Sequence, residues 1–527
     1  MLSPKPGITC LIAALLITWL CIYLDTTPTH ASPPAADSVF SGPRAMAHLR
    51  EIAKLPHSTG TQANRAVRDY LVRTCAAMGL DTSIQHATGL AAQFEGVASA
   101  NIYNVIARIK GAANTKAVLV AAHYDSQPNA GGAGDDGSGC VAMLETARSL
   151  KAGHPLKNDI IFLFTDDEED GLIGAHAFVR ENPLVKDIGV MLNFDARGSS
   201  GVNLISETNP GNGWVIDGYA RSGAHRNASS LNYEVYKRLP NSTDYTPFKA
   251  AGIAGLNNAF IGGFVNYHAM TDLPANIDPH TIQETGDNML AEARYFGDQN
   301  ITETNAPDLT FFNLIGDWFI RYPASLNPVF LLLVNILLIV ALSIGVASKQ
   351  VRFPGLVSGL LAFPVTLIIL YFLSDFVLRG IRVASPLYGG YYSNTYHPGF
   401  YYLSLAALGI AVFALLYQWL LSRFSMPSLL MGTLIILVLA TDGLYVIMPT
   451  AIYFLCFPLL VLLAGGCFTF FRRSASASQP FRASNGYVSS TAARHSATSP
   501  YIILALLLPA ILLLTPIFSM FFVAFDL

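Results

Sequence analysis

Charge is what this chain has least of. Asp, Glu, Lys and Arg make up 13% of its 527 residues, against roughly 25% in an average soluble protein. The formal net charge is −3, and without a basic stripe or domain the chain does not read as a nucleic-acid binder. Cysteine is scarce as well. Cys10, Cys21, Cys75, Cys140, Cys456 and Cys467 show no CxxC or zinc-finger spacing, which argues against a cysteine metal site. Cys75 and Cys140 lie outside the apolar segments, so they are the pair open to a disulfide if the fold brings their Cα atoms close enough.

The shortage of charge is uneven, and that divides the chain. Ionisable residues concentrate before about residue 305, and long apolar runs fill the rest. Three parts are expected: 1–27, an N-terminal membrane anchor or signal peptide; 28–305, a globular domain; and 306–527, a transmembrane domain of about six helices. The first rests on the uncharged run 8–24 behind Lys5, which at about 17 residues is at the lower limit for a span. Residues 28–36, rich in Pro, Ala and Ser, read as a linker. The last part rests on apolar runs near 328–347, 354–378, 399–421, 427–447, 450–470 and 500–523, each long enough for a bilayer of roughly 30 Å. With the globular domain outside, Lys5, Lys349, Arg352, Arg423, Arg472, Arg473, Arg482 and Arg494 fall inside. The outside loop keeps only Arg379 and Arg382, which satisfies the positive-inside rule. The expected location is therefore a multi-pass membrane protein whose globular domain is extracytoplasmic, in the periplasm of a bacterium or the lumen of a eukaryotic compartment. Phe311, Phe312 and Trp318 suggest an interfacial amphipathic segment before the first run. The polar, Ser/Ala-rich stretch 474–499 reads as a disordered loop. Asp442, an acid inside a span, is either a functional group or a hydrated helix end.

Between 39 and 305 the pattern is α/β. Residues 43–52, 64–78 and 139–150 carry helical spacing, and 101–109 alternates like a strand. Residues 117–122, 159–164 and 190–194 are short apolar runs that suit buried central strands. Strands alternating with helices imply a mixed, mainly parallel sheet flanked by helices, with its site at the carboxyl ends of the strands. Residues capable of metal chemistry sit where that rule points. His123-Tyr124-Asp125-Ser126 follows one strand, and an HxD pair lets imidazole bind a metal while the carboxylate holds the other ring nitrogen. The glycine-rich turn 131–139 carries Asp135 and Asp136. It lacks the Gly-Lys-Ser/Thr of a phosphate loop, and its acids would repel phosphate, so it reads as a cation-binding turn. Residues 166–170 are five consecutive acids, which repel one another unless cations neutralise some of them. Asp195 ends a further strand, and Tyr267-His268-Ala269-Met270-Thr271-Asp272 follows the pair Gly262-Gly263. Each segment alone has an ordinary reading as a solvated turn or a structural histidine; their conjunction points to one metal site.

Taken in order, these five motifs resemble the zinc aminopeptidase and carboxypeptidase family that includes bacterial leucyl aminopeptidases, plasma glutamate carboxypeptidase and the glutaminyl cyclases, over roughly residues 45–300. The resemblance implies a zinc exopeptidase fold and two Zn2+ ions, one on His123 and Asp195, the other on Glu169 and His268, with Asp135 bridging. It also implies Glu168 as general base and Asp125 as the residue that holds His123. The stretches 193–201 and 233–248, together with the multi-span region, are similar to a membrane-bound branch that includes vacuolar membrane protease and endoplasmic reticulum metallopeptidase. Relatives there can carry Glu where this chain has Asp195, and either acid can coordinate zinc. Arg197, Asp244, Tyr245 and Tyr267 are candidates for the substrate pocket. The expected activity is hydrolysis at peptide termini, as an aminopeptidase, with a peptide and the lipid bilayer as partners. A carboxypeptidase or dipeptidase, a one-zinc glutaminyl cyclase-like enzyme, and a receptor or transporter with an accessory domain are the alternatives. The spans have few charges and no evident repeat, which gives transport little support.

Overall fold

The computed structural model describes residues 4–28, 36–93, 96–385, 398–477 and 500–525. The chain forms two compact units, Cys21–Ala324 and Met1–Leu20 together with Ser325–Leu527. Most of the expected linker 28–36 and of the polar stretch 474–499 lies outside the described residues.

Helix α1 spans Pro4–Thr26. The unit Cys21–Ala324 then holds α2 (Gly42–Ile52), α3 (Gln62–Ala77), β1 (Asp81–Gln93), β2 (Gly96–Ile109), β3 (Ala117–His123), α4 (Ser138–Lys151), β4 (Ile160–Thr165), α5 (Ile173–Glu181), β5 (Ile188–Ala196), β6 (Leu204–Thr208), α6 (Gly213–Arg221), α7 (Ser230–Tyr236), α8 (Tyr245–Ala250), β7 (Ala254–Phe260), α9 (Pro279–Asp298), β8 (Leu309–Asn313) and β9 (Phe319–Pro323). The seven-stranded sheet runs β1-β2-β4-β3-β5-β7-β6. Its four central strands β4, β3, β5 and β7 are parallel. The strands added at the edges are antiparallel.

Side chains alternate across a strand, and β3 feeds a core on each face. Val118, Val120 and Ala122 pack with Leu49 of α2, Met143 of α4 and Met289 of α9. Leu119 and Ala121 pack with Phe178 of α5 and Phe248 of α8. Burial on both faces explains why the central strands read as continuous apolar runs. Cys75 and Cys140 are buried free thiols, so the open disulfide is absent. The aromatic stretch before the first apolar run is a hairpin rather than an amphipathic segment. Strand β8 pairs with β9, which buries Phe311 and Phe312 and leaves Trp318 exposed.

In the other unit α10 (Asn327–Ala347), α11 (Phe353–Ala384), α12 (Pro398–Leu421), α13 (Met426–Ile447), α14 (Tyr453–Ala477) and α15 (Pro500–Phe525) follow in order. Among the described residues, five helical segments suffice by length and composition to cross a membrane: Pro6–Thr26, Ala324–Ala347, Phe353–Ala384, Leu403–Leu421 and Met426–Ile447. The apolar stretches Tyr453–Cys467 and Tyr501–Ile517 are shorter. Asp442 of α13 accepts a hydrogen bond from Asn335 of α10 at 2.9 Å, so its carboxylate is satisfied by a neighbouring helix.

Small residues let α11 and α13 meet backbone to backbone. A Cβ on Gly432 would lie 2.1 Å from the Leu356 carbonyl oxygen, and one on Gly359 would lie 2.1 Å from that of Leu429. Gly432→Val is expected to push the two helices apart and cost about 1–3 kcal/mol through overpacking. Thermal unfolding in detergent measures this as a lowered midpoint, and an unchanged midpoint would mean that the helices cross with room to spare.

Candidate metal centre

Parallel strands bring their carboxyl ends to one edge of the sheet. The order β4-β3-β5-β7 therefore collects four loops side by side. Strand β3 ends on His123, β4 leads to Glu168 and Glu169, β5 carries Asp195 near its end, and β7 leads to the loop of His268. Asp135 joins them from the turn Ala133–Gly137 that opens α4. The five residues expected from sequence to be ligands converge as two trios that share Asp135. In each trio, His123 with Asp135 and Asp195, and Asp135 with Glu169 and His268, one donor atom per residue lies within 4.8 Å of the others. Asp135 faces both histidines: its Oδ1 is 3.0 Å from His123 Nε2 and its Oδ2 is 3.0 Å from His268 Nε2. Asp195 Oδ1 stands 3.9 Å from His123 Nε2, and Glu169 Oε2 stands 3.1 Å from His268 Nε2.

The donor set fits divalent zinc, which takes imidazole nitrogen and carboxylate oxygen. Two buried atoms support the fit. His268 Nε2, although close to two carboxylates, meets neither with hydrogen-bond geometry, and Glu169 Oε1 also has no partner. The electrostatics point the same way. Burial pushes the Asp195 carboxyl up to about 7, helped by the negative charge of Asp135. Burial likewise drives Glu168 well up from its usual value, and the nearby acids Asp195, Asp244 and Glu169 add to this. Asp135 is held to about 2: burial opposes its ionisation, but His123 and His268 outweigh it. Burial lowers His268, yet Asp135 and Glu169 carry it up to about 10. A crowd of acids needing positive charge is what a bound cation relieves.

Asp125 ties two motifs together. Its carboxylate lies 3.4 Å from His123 Nδ1 and accepts the backbone N–H groups of Glu168 at 3.1 Å and Glu169 at 3.3 Å. Of the five-acid run, Asp166 turns away and accepts from Thr59, Asn64 and the Tyr103 N–H. Asp170 is exposed. Asp167 is buried with its Oδ2 unpartnered. Of the remaining two, Glu169 joins a trio and Glu168 lies within reach of the charges of His123 and Asp195.

The four pocket candidates separate. Arg197 lies over the rings of Phe264 and Tyr267, at 5.5 Å from each centroid. Tyr267 stacks on His268 with 3.8 Å between ring centres. Asp244 is buried, accepts from the Thr165 hydroxyl and keeps Oδ1 without a partner. Tyr245 is not brought to the site: it is fully buried with Met191 and Phe248, and its hydroxyl donates to the Ile253 carbonyl. Other contributors went unread in the sequence. Asp272 accepts from Gly134 N–H at 2.6 Å and Asp135 N–H at 3.3 Å. Gln127 donates to Glu169 Oε2 at 2.9 Å, and Asn129 to the His268 carbonyl at 3.1 Å. Tyr236 is half-buried where the charges of Asp195, Glu168 and Arg197 all reach its hydroxyl. Asp272 had a faint signal, since it stands four residues after His268; the others had none.

Residues 104–293 match the model of peptidase family M28. Endoplasmic reticulum metallopeptidase 1 of Rattus norvegicus is 31% identical over 261 residues, 48% of this chain and 29% of that protein. A vacuolar membrane protease of Candida dubliniensis is 28% identical over 352 residues, 64% of this chain and 37% of that one. This chain thus spans about a third of the length of these curated relatives. Among solved structures, Porphyromonas gingivalis glutaminyl cyclase is similar over 49% of this chain and 99% of its own, at 22% identity and a TM-score of 0.41.

Asp272→Ala would leave the buried Gly134 and Asp135 amides without an acceptor, at about 1–3 kcal/mol for each group stranded. The expected outcome is a lower unfolding midpoint, with a smaller drop for Asp272→Asn, which keeps one acceptor oxygen. Equal midpoints for wild type and Asp272→Ala would remove Asp272 from this support.

Proposed function

We propose that residues 28–305 act as a two-zinc exopeptidase domain that removes residues from peptide termini as an aminopeptidase. In this reading His123 and Asp195 hold one ion, Glu169 and His268 hold the other, and Asp135 is shared. The observation that carries it is the Asp135 carboxylate, with one oxygen 3.0 Å from each histidine. Zinc, when bound, acidifies water and polarises a carbonyl. The remaining work falls to side chains of this chain. Glu168, next to a ligand in sequence, takes the proton of the attacking water and returns it to the leaving amine. Asp125 fixes the His123 ring from behind and holds the Glu168-Glu169 backbone in register with it. Asp244 and Tyr267 line the approach for substrate, and the stacked pair Tyr267–His268 supports one wall of it. The helices of 306–527 anchor this domain as a multi-pass assembly on the extracytoplasmic side, in keeping with the Lys/Arg placement.

A glutaminyl cyclase-like activity is the second reading, and the pair of trios weighs against it, because that branch uses one zinc. Metal analysis with activity assays separates the two. Wild type is expected to bind two zinc ions per chain and to hydrolyse aminoacyl-anilides. Chelation should abolish turnover, and zinc should restore it. Glu168→Gln should keep both ions and lose turnover by roughly 100- to 10,000-fold. Two ions bound with no hydrolysis by wild type would sink the peptidase reading. Full activity in Glu168→Gln would remove Glu168 as the base. Cyclisation of N-terminal glutaminyl peptides with no hydrolysis would favour the second reading.

A further inference from the structure

We infer that Arg197 anchors a carboxylate of the substrate beside the scissile bond, so that the favoured substrates are short peptides ending in a free α-carboxylate. This inference rests on the peptidase reading. The guanidinium is always charged and presents a planar fork suited to carboxylate. Among the described residues, no acid lies within ion-pair distance of it, although acids crowd the neighbouring centre. Its Nε is buried without a hydrogen-bond partner. A buried donor on a charged group costs free energy when left unpaired, which calls for a ligand that completes it.

The position is built rather than loose. Arg197 follows Asp195 by two residues, and its backbone N–H donates to the Phe260 carbonyl at 2.8 Å. The next residues pair back on the loop after β7, with Ser199 N–H and Ser200 N–H donating to the Gly262 carbonyl at 2.8 and 2.9 Å. The chains approach so closely that a Cβ on Gly198 would lie 2.2 Å from that same oxygen. The aromatic faces of Phe264 and Tyr267 then confine the side chain. Tyr267 reaches both sides, 5.5 Å from the guanidinium carbon and 3.8 Å from the His268 ring. An extended dipeptide spans about 7 Å, the length of the two-residue step along the chain that separates Asp195 from Arg197. A scissile carbonyl at the centre would leave the carboxylate of the next residue near the guanidinium.

The carboxylate can belong to the chain terminus or to an acidic side chain, and the assay separates them. The full chain in detergent, as wild type, Arg197→Met and Arg197→Lys, is given Ala-Ala, Ala-Ala-amide and Ala-Glu-amide. Wild type is expected to prefer Ala-Ala over its amide by roughly 10- to 100-fold in kcat/KM, mostly through KM, the size of one charged hydrogen-bonded contact. In Arg197→Met that ratio should fall to near one, with Arg197→Lys between. Ala-Glu-amide turned over as well as Ala-Ala, with both well above Ala-Ala-amide, supports the anchor and shows that a side-chain carboxylate also serves. Equal turnover of acid and amide by wild type overturns the proposal. So does an unchanged ratio in Arg197→Met with both rates lowered, which would make Arg197 a brace for Tyr267. If wild type hydrolyses no peptide, the peptidase reading itself fails, and the anchor fails with it.

Discussion

Asp135 has to present one carboxylate oxygen to each of two histidines that arrive from opposite sides of β5. His123 ends β3, and His268 sits in the loop after β7, so β5 and its Asp195 lie between them in the sheet. An aspartate side chain is too short to reach such a point from a distance, so its backbone must be brought to the sheet edge and held there. Two further acids do the holding. Asp272 accepts from the amides of Gly134 and Asp135, and Asp136 accepts from those of His123 and Gly139. Burial pushes both carboxyls up from their usual value, and the backbone donors oppose that push. The site therefore depends on acids in two roles, one set aimed at the centre and another spent on backbone amides that the turn would otherwise leave unpaired.

The same division governs the five-acid run. Like charges in sequence repel one another only if they also end up together in space. At Asp167 the backbone enters the left-handed region, with φ at 65°, which sends Asp166 one way and the Glu168-Glu169 pair another. Asp166 is absorbed by donors from α3, its N-cap region and β2. Asp125 then clamps the next two amides, so the direction of Glu168 and Glu169 is set by the residue that also orients His123.

This split marks what could be read in advance. His123 and Asp195 were legible because each ends a strand buried on both faces, where an abrupt ionisable residue stands out. The parallel core followed from the same apolar runs. Strand β7 was not legible. Its sequence places Asn257 and Asn258 in the middle of a buried strand, and no apolar pattern survives that. The fold accommodates them by pairing: Asn193 donates to Asn257 at 2.8 Å, Asn257 donates to Ser206 at 3.0 Å, and Asn258 donates to Glu292 at 3.2 Å. Tyr245 failed for the opposite reason. It stands beside a candidate acid in sequence, but the first turn of α8 aims it into the core. Gln127 and Asn129 act through contacts between distant segments, which spacing along one chain does not reveal.

Those buried asparagines bear on the centre itself. The loop 261–278 carries Tyr267, His268 and Asp272 with little regular structure of its own, and His268 adopts a φ of 52°, a conformation that costs a residue with a Cβ about 1–2 kcal/mol. Such a loop keeps its shape only if both ends are fixed. At one end β7 is locked to β5 and α9 by its amide pairs. At the other, Asp278 caps α9 through the His280 N–H and donates its own N–H to the Ser199 carbonyl. Glu292 of α9 is pushed up to about 8 by burial, which favours the neutral carboxyl as the partner of Asn258 over a charge in the core. The polar interior between β7 and α9 is thus part of what holds the second histidine opposite Asp135, although none of its residues comes near a ligand in sequence.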